Sequence, residues 1–190
     1  MREHASASHL VRKRSKKDFP AQSISAVSPS PRIGREFSTR IEPALNHAYK
    51  LLSYRGRSEK ELRQRLILKG FDEHAVDSVI TALTANGFLD DRKLAFALKR
   101  YAAESKHLGI WGTKNFLRDR GIPKEIIEEA MHDVDETEGA WKIAQKMMRS
   151  VSSLTAGKSA RKIYGALYRR GYSPETIRKT LYKFTLREDM

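Results

Sequence analysis

One short motif in this 190-residue sequence contains residue types that could bind a nucleotide. Gly157-Lys158-Ser159 matches the end of a phosphate-binding loop, in which backbone N–H groups and a lysine hold the phosphates. That loop also needs a glycine five positions before Gly157, where this chain has Ser152, and a preceding strand, which the pattern does not show. We therefore interpret the motif as a polar connection leading into a helix that begins near Ser159.

The acidic residues do not form a convincing catalytic or metal site either. Asp90 and Asp91 stand where a helix is predicted to begin, and a carboxylate there caps free N–H groups. A second acidic group lacks the spacing of a calcium loop and fits a solvated face; its members are Glu125, Glu128, Glu129, Asp133, Asp135, Glu136 and Glu138. The chain has no cysteine, and its six histidines are not at metal-ligand spacing. The sequence thus predicts that the protein is not an enzyme and binds no metal or cofactor.

The charge balance indicates a polyanionic partner. The net charge is +14 and the pI is near 10.1. Among polyanionic partners this charge favours nucleic acid over an acidic protein surface or an anionic membrane. Cations recur at similar places on successive predicted helices, and stacking the helices would align them into a basic stripe that neutralises phosphates. The predicted binding residues are Arg57, Arg63, Arg65, Lys69, Lys114, Arg118, Arg120, Arg161, Lys162, Arg169, Arg170, Arg178, Lys179 and Lys183.

Three tyrosines, Tyr164, Tyr168 and Tyr172, alternate with cations in the most basic part of this stripe. Aromatic rings beside cations can stack on unpaired bases. Their helical spacing, however, favours positions in a hydrophobic core, so we expect all three to be core residues.

The elements that must position these residues are all predicted to be helices. From residue 41 onward apolar residues recur at helical spacing, and no segment alternates as a strand does. Ser58 and Glu61 form the pattern of a capping box at a helix start. Gly70, Gly121 and Gly171 each follow a leucine by four residues and precede a large apolar residue, which is typical of a helix ending in a tight turn. Their spacing of about fifty residues predicts stacked repeats.

The predicted fold class is all-α, with about three tandem three-helix repeats, the last incomplete, in an elongated arrangement. We assign residues 1–40 to a disordered basic arm, 41–106 to a leading helix plus the first repeat, 107–153 to the second repeat, and 154–190 to a truncated third repeat. The composition of the arm also suits an organelle transit peptide or a solvated tail without a specific role. No run has the length and apolarity of a membrane span or a signal peptide, so we expect a cytoplasmic protein without a membrane partner.

Two stretches of the sequence resemble the RecX family of bacterial recombinase regulators. They are LLSYRGRSEKELRQRLILKGF at 51–71 and LTANGFLDDRKLAFAL at 83–98. Further along, LRDRGI and LYRRGY are similar to that family's second and third repeats. The resemblance covers roughly residues 44–186. The Trp111-Gly112-Thr113 segment departs from it, because a more basic or proline-containing start to the second repeat is expected there.

The resemblance implies a modulator, usually an inhibitor, of the RecA recombinase. RecX proteins bind the RecA–single-stranded DNA filament in its groove and suppress ATP hydrolysis, strand exchange and repressor co-cleavage, so a role in regulating DNA repair and the SOS response is implied. The implied fold is a curved row of three-helix repeats. We expect a monomer whose partners are the RecA filament and single-stranded DNA, with double-stranded DNA as a further candidate.

A direct DNA-binding protein of the helix-turn-helix type, without a recombinase partner, is the alternative. Helix pairs joined by a glycine turn permit it. Such a protein concentrates its base-contacting residues on one recognition helix, whereas the cations here recur on several helices.

Overall fold

The structure is a computed structural model that describes residues 35–151 and 155–188 of the chain. These residues form nine helices: α1 Arg35–Tyr54, α2 Glu59–Leu68, α3 Glu73–Ala85, α4 Asp91–Glu104, α5 Ile110–Asp119, α6 Lys124–Ala130, α7 Thr137–Val151, α8 Ala156–Arg169 and α9 Pro174–Glu188. The prediction of an all-α protein is confirmed over this part of the chain. The predicted basic arm lies outside the described residues as far as residue 34, and α1 begins within its last residues, at Arg35.

The helices pack as three units of three. The first unit contains α1 to α3, the second α4 to α6 and the third α7 to α9, and each unit surrounds a hydrophobic core of its own. The prediction of tandem three-helix repeats is therefore confirmed, but the packing divides the chain differently. The predicted boundaries place α7 in the second repeat and leave the third repeat without a third helix. In the structure Ala140 and Ala144 of α7 share a core with Ile163 of α8 and Phe184 of α9.

The same turn joins the second and third helices of every unit. Gly70, Gly121 and Gly171 have φ angles of +96°, +78° and +72°, which lie in the left-handed region where a side chain is strained. In the third unit the Tyr172 N–H donates to the Leu167 carbonyl at 3.2 Å. This bond pairs a carbonyl that the helix end would otherwise leave free, and both side chains are buried. The glycine turns predicted from the sequence are therefore confirmed.

Side chains hold the first unit against the second. Ser58 caps α2 by accepting from the Glu61 N–H at 3.1 Å, as predicted, and its hydroxyl also donates to the Arg120 carbonyl of the second unit at 2.6 Å. The carboxylate of Glu61 does not complete a capping box. It pairs with Arg55 and Arg57 of its own unit and lies 3.5 Å from Nε of Arg120.

The three arginines keep Glu61 charged at this junction. Burial by itself would raise the pKa of Glu61, but the hydrogen bond from Arg55 and the charges of Arg55, Arg57 and Arg120 outweigh it and hold the pKa below its ordinary value. Burial also lowers the pKa of Arg57 and Arg120. The first junction is therefore a half-buried cluster of one carboxylate and three guanidinium groups.

Backbone groups hold the second unit against the third. The N–H groups of Gly109 and Trp111 donate to the carbonyls of Arg170 and Gly171, both at 2.9 Å. A Cβ atom on Gly112 would lie 2.1 Å from the Arg170 carbonyl oxygen, a distance that no side chain allows. The Trp111-Gly112-Thr113 segment, which departs from the expected repeat pattern, is therefore the segment that touches the third unit.

Acidic side chains complete both junctions. Asp90 caps α4 by accepting from the Lys93 N–H at 2.9 Å, as predicted, whereas Asp91 accepts from the Glu59 N–H of the first unit at 2.9 Å. At the second junction Glu136 accepts from the N–H groups of Ile110 at 2.6 Å and Ser173 at 2.8 Å. Glu136 is only 7% exposed, so assigning it to a solvated acidic face was wrong.

Candidate nucleic-acid interface

The motifs that could suggest nucleotide binding or metal binding do not form such sites in the structure. Gly157-Lys158-Ser159 lies in the first turn of α8 and not in a loop before the helix, and no strand precedes it among the described residues. In the same part of the chain no group of three or more acids and histidines is placed to hold a metal ion. Nor does any described helix have the length and apolarity needed to cross a membrane. Basic surfaces remain as the candidate site.

In the first unit two of the four predicted cations are already paired. Arg57 belongs to the Glu61 cluster, with a side chain that is 10% exposed. Arg63 pairs with Glu59 and Asp77, and the hydrogen bond to Asp77 raises the pKa of Arg63. The remaining predicted cations of this unit are exposed at the C-terminal end of α2; they are Arg65 and Lys69.

The second unit repeats this pairing. Lys114 of α5 pairs with Glu128 of α6, and its hydrogen bond lowers the pKa of Glu128. Arg118 donates to the side chain of Asn115 at 2.7 Å, and Arg120 lies in the first junction. Acidic partners therefore interrupt the predicted basic stripe in both of these units.

The third unit lacks the equivalent pairing. Arg63 and Lys114 each stand seven residues before the turn glycine, and their partners Asp77 and Glu128 each stand seven residues after it. In the third unit those two positions are Tyr164 and Arg178. In the first two units this ion pair links the second helix to the third. In the third unit an aromatic residue and a further cation take its place.

Helices α7 and α8 enclose a basic groove. Its lining is Met147, Lys158, Arg161, Lys162, Gly165 and Arg169, and its volume is about 560 Å³. Three of its four cations, Arg161, Lys162 and Arg169, were predicted as binding residues, and Lys158 was not. None of the four forms an ion pair with a described residue, so all four charges remain available to a polyanion.

Two of the three tyrosines lie on the surface of α8. Tyr172 is buried, as predicted, but Tyr164 and Tyr168 are 48% and 62% exposed, so the expectation that they are core residues was wrong. Their rings stack on each other with centroids 6.0 Å apart and planes inclined by 9°. Ile163 and Leu167 have the same spacing one residue earlier and occupy the core instead. Spacing alone could not decide between these two faces of one helix.

The other predicted cations of the third unit are divided between the turn and α9. Arg170 donates to the Ala166 carbonyl at 3.0 Å. On α9, Lys179 pairs with Glu175 at 2.7 Å, and the ammonium of Lys183 lies 4.7 Å from the ring centroid of Trp141. Arg178 is exposed. The structure therefore gathers Lys158, Arg161, Lys162 and Arg169 into one groove and leaves the other predicted residues outside it.

Comparison with known proteins agrees with the packing into units. Residues 44–83 match the family model described as RecX, first three-helix domain, and residues 134–181 match the one described as RecX, third three-helix domain. The second match contains α7, α8 and the first half of α9.

Relatives of known name cover most of the chain. A protein of Chlorobaculum tepidum named Regulatory protein RecX is 33% identical over 146 residues, which is 77% of this chain and 90% of the relative. One of the same name from Prosthecochloris aestuarii is 30% identical over 138 residues, covering 73% and 91%. The crystal structure of RecX from Lactobacillus salivarius has the same fold, with a TM-score of 0.72 at 23% identity over 78% of this chain and 99% of that one. By these likenesses the chain belongs to the RecX family of regulatory proteins.

Proposed function

We propose that this chain is a non-enzymatic, cytoplasmic modulator of the RecA recombinase and that it acts as an inhibitor. As a monomer it binds the RecA–single-stranded DNA filament and suppresses its ATPase, strand exchange and co-protease activities, and so regulates DNA repair and the SOS response. The observation that carries the proposal is a groove on the third unit of a RecX-family chain, with four cations that form no ion pair with any described residue.

The geometry supports a partner that is both long and negatively charged. Three units joined end to end by two junctions provide reach along neighbouring subunits of a filament. The cations are unevenly distributed, because acids pair with Arg63 and Lys114 in the first two units, whereas the groove cations of the third unit pair with no described residue. We infer that the groove of the third unit contacts DNA phosphates.

Titration of the protein into a RecA–single-stranded DNA ATPase assay tests the proposal. ATP hydrolysis and strand exchange are expected to fall as the protein approaches stoichiometry with RecA. The variant Arg161→Glu with Lys162→Glu should inhibit less, because it reverses two charges of the groove. Lys124→Glu, which changes an exposed cation at the start of α6, is the matched control and should inhibit as the wild type does. Unchanged ATPase and strand exchange with the wild-type protein would contradict the proposal.

The same protein also tests the helix-turn-helix alternative. A direct DNA-binding regulator would bind one duplex sequence at least about a thousandfold more tightly than random duplex at physiological salt. We expect no such preference, since the groove cations all lie on α8, before the glycine turn, whereas the recognition helix of a helix-turn-helix pair follows the turn. A strong duplex preference together with an unaffected RecA filament would favour the alternative.

A further inference from the structure

In the third unit, the segment that corresponds to the contact segments of the first two units meets no further unit among the described residues. In the first unit, Ser58 and Glu61, twelve and nine residues before the turn glycine, contact the second unit. Gly109 and Gly112 occupy the same positions in the second unit and contact the third. The equivalent residues of the third unit are Ser159, which is buried, and Lys162, which is exposed, and no fourth unit follows among the described residues.

The cations of this segment suit a polyanion and not another unit of the same kind. Arg161 and Lys162 lie within residues 159–162, which correspond to the contact segments of the first two units, and Lys158 directly precedes them. Docking a fourth unit there would bury two cations that pair with no described residue, and the desolvation of each would be strongly unfavourable. A phosphate backbone would instead pair with them, because it supplies negative charge along its whole length.

The aromatic pair lies beside these cations on the same helix. Tyr164 and Tyr168 are one turn apart on α8, and Arg161 precedes Tyr164 by three residues, so the three side chains share an exposed stripe. The two rings are nearly parallel, and both are exposed to solvent. Exposing two tyrosine rings to water is unfavourable, and the rings add nothing to the core. Unpaired bases that stack on the rings would remove them from water.

Gly165 of α8 lines the groove together with the cations. It is the only glycine that lines the groove within the described residues, and it lies between Arg161 and Arg169, four residues from each. The absence of a side chain leaves room for the guanidinium of Arg169, which lies 3.2 Å from the position that a Cβ atom would take and can turn from there towards a phosphate.

We propose that the exposed face of α8 is a binding site for single-stranded DNA. Tyr164 and Tyr168 stack on its bases, and Lys158, Arg161, Lys162 and Arg169 contact its phosphates. The inference rests on the proposed function, in that it assigns the DNA contact of a filament regulator to one helix. Duplex DNA does not fit, since its bases are stacked on each other and cannot cover the tyrosine rings.

Two fluorescent oligonucleotides of equal length, one of thymidines and one of abasic sugars, separate stacking from phosphate binding. With the full chain in anisotropy titrations, the thymidine probe should bind at least about tenfold more tightly, because bases stack favourably on aromatic side chains. Tyr164→Ala with Tyr168→Ala should remove this preference and leave the affinity for the abasic probe unchanged. The corresponding pair of Phe substitutions should keep it, because the ring and not the hydroxyl is required.

Tyr54→Ala is the matched control, because this tyrosine is 67% exposed in the first unit. It should keep the wild-type preference for thymidine. Arg161→Glu with Lys162→Glu should weaken the binding of both probes and reduce the slope of log affinity against log salt by about 0.7 for each phosphate that is no longer neutralised. Circular dichroism verifies that each variant keeps its helices.

Several outcomes would overturn the inference. They are equal wild-type affinities for the two probes, no binding of either probe at low salt, and an alanine pair that keeps the thymidine preference. A double alanine variant that binds neither probe would also overturn it, because the tyrosines would then be needed for phosphate binding as well as for stacking. RecA is absent from these titrations, so a thymidine preference with unaffected RecA ATPase would contradict only the proposed function. Inhibition of RecA without the preference would contradict only this inference.

Discussion

Ser58 and Glu61 stand twelve and nine residues before the turn glycine of the first unit, and Gly109 and Gly112 stand at the same two positions in the second. All four residues meet the turn of the next unit. Both Ser58, through its hydroxyl, and Gly109, through its N–H, donate to the carbonyl that directly precedes that turn's glycine. Glu61 provides a charge for Arg120, whereas Gly112 provides space for the Arg170 carbonyl.

The difference teaches that one backbone arrangement can be stabilised in two physically distinct ways. The first junction depends on ion pairs and should respond to salt and to acid. The second depends on close backbone approach and should respond to added volume instead. The following variants test this contrast, from the largest expected effect to the smallest.

Gly112→Ala should have the largest effect. Its Cβ would lie 2.1 Å from the Arg170 carbonyl oxygen, and a backbone atom cannot move away as a flexible side chain can. We expect a loss of about 3 kcal/mol in the free energy of unfolding, or separation of the third unit from the second. Urea unfolding followed by circular dichroism measures it. Gly157→Ala is the control, since nothing lies within 4 Å of its Cβ position, and equal stabilities of the two variants would refute the steric account.

Glu61→Gln should destabilise the first junction by about 2 kcal/mol, because three guanidinium groups lose their counter-charge in a site that is half buried. At higher salt concentration the free energies of unfolding of Glu61→Gln and of the wild type should differ less. The stability lost in Gly112→Ala should not change with salt. Glu138→Gln removes an exposed ion pair with Lys142 and should cost at most about 0.5 kcal/mol. A loss no larger than that of the control would show that the cluster does not hold the junction.

The same carboxylate predicts a dependence on acid. The pKa of Glu61 in the folded protein lies below its ordinary value, so its stabilisation is complete above about pH 4.3 and is lost as the pH falls through the folded pKa. Thermal unfolding between about pH 6 and about pH 3 should show a smaller fall for Glu61→Gln than for the wild type. Parallel curves would contradict the assignment.

Tyr172 should make the second junction sensitive to high pH, whereas Glu61 makes the first junction sensitive to low pH. Burial, followed by the charge of Glu136, raises the pKa of Tyr172 to about 12. A raised pKa means that the stabilisation is present below the ordinary value near 10 and is lost as the pH rises towards 12. Ultraviolet titration of tyrosinate should therefore show one late-ionising tyrosine that is missing in Tyr172→Phe. Its presence in the Phe variant would assign the late titration to another tyrosine.

Gly165→Ala should have the smallest effect and the opposite sign to Gly112→Ala. Its Cβ would meet only the flexible end of Arg169, at 3.2 Å, and alanine is the better residue inside a helix. We expect a gain of about 0.5–1 kcal/mol in the free energy of unfolding. Differential scanning calorimetry measures it, and a loss as large as that of Gly112→Ala would mean that the groove around Gly165 is packed like the second junction.

Local patterns accounted for most of the fold. The Ser58 and Asp90 caps depend on side chains bonding to N–H groups three residues away, so they could be recognised without tertiary information. The three glycine turns are equally local. The grouping of α7 was not, because its apolar face fits the end of one unit or the start of the next equally well, and only packing against Ile163 and Phe184 decides it.

The candidate site was less accessible to sequence reasoning. Fourteen cations were predicted to bind, but whether a cation is free depends on acids far along the chain, such as Asp77 for Arg63 and Glu128 for Lys114. The two members of each pair are fourteen residues apart in the chain. That spacing indicates a contact only once the two helices on either side of the turn glycine are known to pack against each other.

The amino-acid sequence by itself determined the helices, the glycine turns, the repeat and the excess of positive charge, since these depend on short-range spacing or on composition alone. Only the tertiary structure decided which charges are neutralised, which tyrosines face solvent and which helix completes the third unit. Those properties depend on which of two similar faces of a helix is covered by residues distant in the chain, and the face that is left exposed, on α8, is the one available to a partner.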